Sequence, residues 1–292
     1  MSISPSTLLH SRSSEARDTV APVRSTTFDV GRFTRTAFGD HRAGIDLQHS
    51  ASRPLPAQVI RSLRYLHDLE RTTTDTLRRI LATSTAREAR FTAFLTTWAY
   101  DRYWFAAQME AVLTLSGTPS PPSLALGSSR RDRRAHRTDL ICRYLDPIWT
   151  TLVGEPVTAL HAVRGLASTS AEIVACNRTL ERAEHPELRE VLQPVLARKI
   201  IHRDFFEAEA QMRLDGDVGT QSLVRSLLTR GFHPLRAGHL PVAESHWFLR
   251  FIFSPHAKDQ VVHVADSRIR RLPGMSDHGP LETVLSRERP IG

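Results

Sequence analysis

The sequence predicts an all-α protein built around an antiparallel four-helix bundle with one long crossover and extra C-terminal helices. Three observations predict it. Four long segments carry apolar residues at helical spacing, a short break separates the members of each of two pairs, and a long Pro/Ser/Gly/Arg stretch lies between the pairs. No stretch alternates apolar and polar residues in the manner of a strand.

The first segment, 57–82, places Val59, Leu63, Leu66, Leu69, Leu77 and Ile80 at mostly helical intervals. Its run Thr72-Thr73-Thr74 lowers local helix propensity, so packing must hold it. The second, 87–116, is lined by Phe91, Phe94, Leu95, Trp98, Phe105, Met109, Val112 and Leu113, and Gly117 and Pro119 stop it. A linker at 118–136 and a short helix at 138–152 follow, and the whole connection 117–155 is expected to cross the bundle. Pro156 suits the first turn of a third helix reaching about Ala183. His185-Pro186 breaks the chain, and the fourth helix runs from Glu187 to about Leu214, with a kink or late start expected at Pro194. Shorter helices are expected near 220–230, 241–253 and 257–271. The stretch 243–253, with Trp247, Phe248, Phe251, Ile252 and Phe253, is too apolar to be solvated all round, so it should pack on the bundle or at a homodimer contact.

The implied organisation is a disordered arm over 1–55, the bundle over 56–216, additional helices over 217–272 and a flexible tail over 273–292. At 292 residues one large domain with tails fits better than two equal ones. No apolar run is long enough for a membrane span, and residues 1–20 lack the apolar core of a secretory signal. Cys142 and Cys176 are the only cysteines and neither sits in a CxxC, so a disulfide framework or zinc site is not expected and a cytoplasmic setting is. The net charge of +8 invites a nucleic-acid reading. Yet only Lys199 and Lys258 among the 39 basic residues are lysines, a bias that fits a GC-rich, bacterial-type composition. The densest basic run, Arg130, Arg131, Arg133, Arg134 and Arg137, reads as a solvated loop before it reads as an anion site.

Two passages carry a resemblance. The run 94–105, Phe-Leu-Thr-Thr-Trp-Ala-Tyr-Asp-Arg-Tyr-Trp-Phe, continues to Leu115-Ser116-Gly117. It resembles the second bundle helix of acyl-carrier-protein desaturases and related ferritin-like proteins, where a tryptophan precedes a Glu-x-x-His and the helix ends in a similar Leu-Ser-Gly. The run 196–206, Leu-Ala-Arg-Lys-Ile-Ile-His-Arg-Asp-Phe-Phe, looks like the fourth-helix motif, a Glu-x-x-His followed by an aromatic pair. The resemblance covers about 57–214. It implies a ferritin-like fold. In that family, paired Glu-x-x-His motifs and two further glutamates hold a di-iron carboxylate centre that activates dioxygen or stores iron.

Carried over residue by residue, most of that centre is absent. Arg102 and Phe105 stand at the second-helix Glu and His positions, and Lys199 stands at the fourth-helix Glu position, while His202 remains. Glu70 is the best-placed carboxylate of the first helix. On the third, the expected position falls near Thr169, with Glu172 about one turn away. Glu70, Glu172 and His202 are thus the remnant positions, and Arg102, Phe105, Thr169 and Lys199 the substituted ones. Two ligands became cations, which are costly to bury unless paired. Either Arg102 and Lys199 pair with Glu70, Glu172 or Asp101, or they snorkel outward and Phe105, Trp98 and Phe205 close an apolar core.

The expectation is therefore a degenerate ferritin-like protein without a metal cofactor, a structural or binding subunit acting as a homodimer or beside an active paralogue. The alternative is an oxygenase or desaturase with rearranged ligands for iron or another divalent metal, for which His67, Glu70 and His202 offer a mononuclear set. The plainer reading of that set is a polar helix face plus one core histidine, and His161 takes the same discount. Cys176 reads as a small buried residue rather than a nucleophile. The dense aromatic set Trp98, Tyr100, Tyr103, Trp104 and Phe105 exceeds what one buried face can hold.

Overall fold

The computed structural model describes residues 26–42, 54–117, 154–229, 232–236, 240–253, 258–277 and 279–287. Among them the chain is helical and contains no strand. The elements are α1 Val30–Arg35, α2 Ala57–Arg71, α3 Thr73–Leu81, a 3-10 turn Ser84–Arg87, α4 Ala89–Leu115, α5 Glu155–Ala183, α6 Pro186–Leu214, α7 Val218–Thr229, α8 Val242–Ile252, α9 Lys258–Arg270 and α10 Pro280–Arg287. The expected linker 118–136, helix 138–152, basic run 130–137 and Cys142 lie outside the described residues, as does most of the crossover 117–155.

The four long segments form where the periodicity places them. The first is divided at Thr72, whose hydroxyl turns back to the Leu69 carbonyl at 2.7 Å and competes with the backbone ladder. Gly117, at φ 69°, ends α4 as expected. No late start occurs at Pro194. Helix α6 begins at Pro186, with the His185 ring accepting from the Leu188 amide, and continues through Pro194. A proline supplies no N–H to the carbonyl four residues before it, here Glu190, and at the next position the buried Gln108 of α4 donates to the Val191 carbonyl at 2.6 Å.

Helices α2 and α4 pack together, as do α5 and α6, and the pairs join through α2 with α5 and α4 with α6. Two apolar clusters show how the helices run. One gathers Val59, Leu63 and Leu66 of α2, Met109 and Val112 late in α4, Cys176 and Leu180 late in α5, and Leu188 and Leu192 early in α6. The other gathers Ile80 of α3, Phe91 and Phe94 early in α4, Val163 and Leu166 early in α5, and Phe205 and Ala210 late in α6. Each packed neighbour thus runs opposite to the next. Helices α5 and α6 pack tightly at Gly165, where an added Cβ would lie 2.5 Å from the Phe206 ring.

The ends depart from expectation. The arm assigned to 1–55 does contain packed chain: Val30 and Phe33 are buried against α4, and Asp29 caps α1 through the Arg32 amide at 2.8 Å. Two apolar residues and one cap make too weak a periodic signal to read from sequence. The tail assigned to 273–292 contains α10, whose Leu281, Val284 and Leu285 are buried. Asp266 of α9 accepts from the Leu281 and Glu282 amides at 3.2 and 2.9 Å, a cap supplied from outside the segment. Helix α8 packs on α2, with Phe248 stacked on Tyr65 at a centroid distance of 4.2 Å. No described helix is long and apolar enough to cross a membrane.

Candidate functional site

Between the two apolar clusters lies a layer of charge. Asp101 and Arg102 are successive residues on α4, and Arg198 and Lys199 are successive residues on α6. Successive helical positions point about 100° apart, so each pair sends one charge to the centre and the other toward the α4–α6 groove.

At the centre, Arg102 forms two parallel hydrogen bonds to Glu172, both 2.9 Å. Its Nε lies 2.8 Å from Glu70 Oε2. Lys199 Nζ lies 2.6 Å from Glu70 Oε1 and 2.6 Å from Glu172 Oε2. The Glu70 contacts are close ion pairs without the alignment of hydrogen bonds, whereas those of Glu172 are aligned. Two cations and two carboxylates make the quartet neutral, and Lys199 and Arg102 are 0% and 4% exposed, so the snorkelled alternative is excluded. Burial alone would raise the Glu172 carboxyl, but the adjacent Arg102 and Lys199 outweigh it and bring it to about 2. Burial works against the charged forms of Lys199 and Arg102, yet Glu172 and Glu70 hold both above their ordinary values. Glu172, Arg102 and Lys199 are therefore ionised across the neutral range.

The aromatic residues close around this quartet. Arg102 lies over the Trp98 ring at 5.2 Å, and Lys199 over Phe105 at 5.4 Å. Phe105 is fully buried, and Thr169 is buried on α5. Cys176 is also buried, and burial first of all pushes its thiol up to about 12, which keeps it protonated and inert.

The second group faces α1. Asp101 Oδ2 accepts from Arg198 Nε at 2.6 Å and meets His202 Nε2 at 2.8 Å, while Oδ1 accepts from the Phe38 amide at 2.7 Å. Burial opposes ionisation of Asp101, but the His202, Phe38 and Arg198 hydrogen bonds together hold its carboxyl below the ordinary value. Burial lowers His202 to about 4 despite its bond to Asp101, so the ring is neutral, with Nε2 as donor and Nδ1 without a partner.

The sequence-derived positions are thus partly brought together. Glu70, Arg102, Glu172 and Lys199 meet. His202 does not join them but turns to Asp101, and the mononuclear set His67, Glu70 and His202 is not assembled. His67 Nδ1 instead pairs with Asp68 at 2.9 Å. Among the described residues no three His, Cys, Asp or Glu side chains converge as metal ligands. Nor do the residues at the centre fit a di-iron group, since the carboxylate oxygens that would bridge metals are taken by cations. His161 pairs with Thr85 at 2.9 Å, away from the charged layer. The role of Arg198 was not foreseen, because its partner Asp101 sits 97 positions earlier. The signal available was the adjacency of two charged pairs on facing helices. Tyr100 and Tyr103 are exposed beside Trp104, which packs against both.

A surface hollow lined by Pro186, Arg189, Glu190, Gln193, Pro194 and Ala197 contains none of these charged groups, so it does not open onto them. The chain matches no family model, no curated protein and no solved structure.

Proposed function

We propose that this protein is a degenerate ferritin-like four-helix bundle, a structural or binding subunit in which ion pairs occupy the place of a di-iron centre. One observation carries the reading. Glu70 and Glu172, the two carboxylates assigned to the lost centre, converge at mid-bundle on Arg102 and Lys199, the two cations assigned to substituted ligand positions. Chemically, the cations supply the positive charge that metals would bring, fixed in the chain.

Such a site disfavours metal. A positive ion about 4 Å from one of these cations is repelled by roughly 4 kcal/mol per unit charge at an effective dielectric near 20. The missing ligand bonds at Phe105 and Lys199 add to that cost. A binding role, as a homodimer or beside an active paralogue in the cytoplasm, draws support from the exposed Tyr100 and Tyr103, residues that suit interfaces.

Anaerobic titration of the full chain with ferrous iron, followed by oxygen and optical spectroscopy, tests the proposal. The expected result is no tight iron and no oxo-bridge absorption. Two tightly held irons per chain with that band would overturn the reading in favour of an oxygenase or desaturase.

A further inference from the structure

The bundle holds residues 26–42 largely through their backbone. Asp101 accepts the Phe38 amide at 2.7 Å, and Arg198 donates to the Phe33 carbonyl at 3.2 Å and to Thr36 Oγ1 at 3.4 Å. Arg90 donates to the Phe28 carbonyl in the same manner. A carboxylate reading an amide and guanidiniums reading carbonyls would accept any polypeptide of suitable shape. Shape is set by three aromatic side chains, of which Phe28 meets Phe205 edge-on at 5.2 Å. Phe33 stacks on Phe94 at 4.7 Å with Arg198 over its ring at 4.0 Å, and Phe38 meets Phe105 edge-on at 4.8 Å.

The charges beneath the segment keep charged or polar partners without it. Asp101, Arg198 and His202 all belong to α4 and α6 and pair with one another. Lifting the segment therefore strands no charge and lets water reach groups that welcome it. This contrasts with separating α2 from α4, which would tear Glu70 from Arg102. On the segment itself, α1 has only six residues, and Gly31, Arg32, Arg35, Thr36, Ala37 and Asp40 are exposed.

We propose that residues 26–42 are a displaceable strap filling a polypeptide-binding groove between α4 and α6. The groove takes a segment with three aromatic residues at five-residue spacing, and the chain's own Phe28, Phe33 and Phe38 occupy it in cis. The inference stands whether or not the bundle is ferritin-like.

Hydrogen exchange on the full chain gives the first test. Amides of 33–38 should exchange at least about 100-fold faster than the central turns of α4 and α6, as a locally opening unit does. Exchange of the strap in one cooperative step with those helices would overturn the proposal. The second test uses the full-length Phe33→Ala/Phe38→Ala variant and a fluorescent peptide of residues 26–42. The variant should keep its helical circular dichroism and bind the peptide at least about 10-fold more tightly than the wild type, whose groove is filled. A peptide with Phe28, Phe33 and Phe38 all replaced by alanine should not bind. Loss of helix in the variant would mean the segment is core rather than strap, and equal binding to both proteins would mean no groove. Either result sinks the idea.

Discussion

Lys199→Met removes one charge from the quartet while keeping most of the side-chain volume. What remains is Arg102 facing Glu70 and Glu172, a net negative charge where these groups are at most 5% exposed. Leaving a buried charge unmatched costs roughly 3–5 kcal/mol. A carboxylate can limit that loss by taking a proton, because Lys199 no longer helps hold Glu172 at about 2. The deficit relative to the wild type should therefore shrink as pH falls from 7 toward 5. Lys199→Met/Glu70→Gln restores neutrality and should cost less than the sum of its single changes, with a coupling of about 1.5 kcal/mol or more. Urea unfolding followed by circular dichroism at pH 7 measures all four states of this cycle. Repeating it at high salt separates buried from exposed pairing, since buried charges are poorly screened. A Lys199→Met cost below about 1 kcal/mol, additive changes, or a penalty erased by salt would refute the argument that the quartet is a closed charge balance.

Four further outcomes are expected. His202 is held near 4 against an ordinary 6.5, so the unfolded chain binds a proton that the native one refuses; stability should fall between about pH 6.5 and 4 by roughly 3 kcal/mol from this group, and His202→Gln should flatten that limb in acid titration of unfolding. Glu172 acts lower, its contribution being present above its ordinary 4.5 and lost only as pH falls through about 2. Gly165→Ala should destabilise by about 1–3 kcal/mol in thermal unfolding, because the methyl group meets the buried Phe206 ring and overpacking outweighs the gain in helix propensity. The combined change Arg102→Glu/Phe105→His/Lys199→Glu should acquire iron affinity that Lys199→Glu alone does not, measured by the same anaerobic titration; equal affinity in the two variants would remove the cations and Phe105 from the explanation.

The long helices were legible because each states its buried face in a local period of 3.6 residues, and their ends because Gly117, Pro156 and Pro186 act within one turn. Glu70, Arg102, Glu172 and Lys199 could be named as a set only through the resemblance to ferritin-like ligand positions. Whether the cations turned inward or out stayed open, because a helical period gives a direction on one helix and not what faces it. Less was legible at the ends: α1 and α10 are six and eight residues long, too short for periodicity to stand out, and α10 takes its cap from Asp266 on another helix.

The sequence by itself thus determined that the chain is helical, where the long helices run, and that charged residues stand at mid-helix. Only the tertiary structure decided which charges pair: Arg102 and Lys199 with Glu70 and Glu172, but Arg198 and His202 with Asp101, under a strap from residues 26–42. The physical reason is range. Helix formation is settled by neighbours within about four positions, whereas a buried charge chooses among partners brought within 3 Å by packing, here up to 129 positions apart between Glu70 and Lys199.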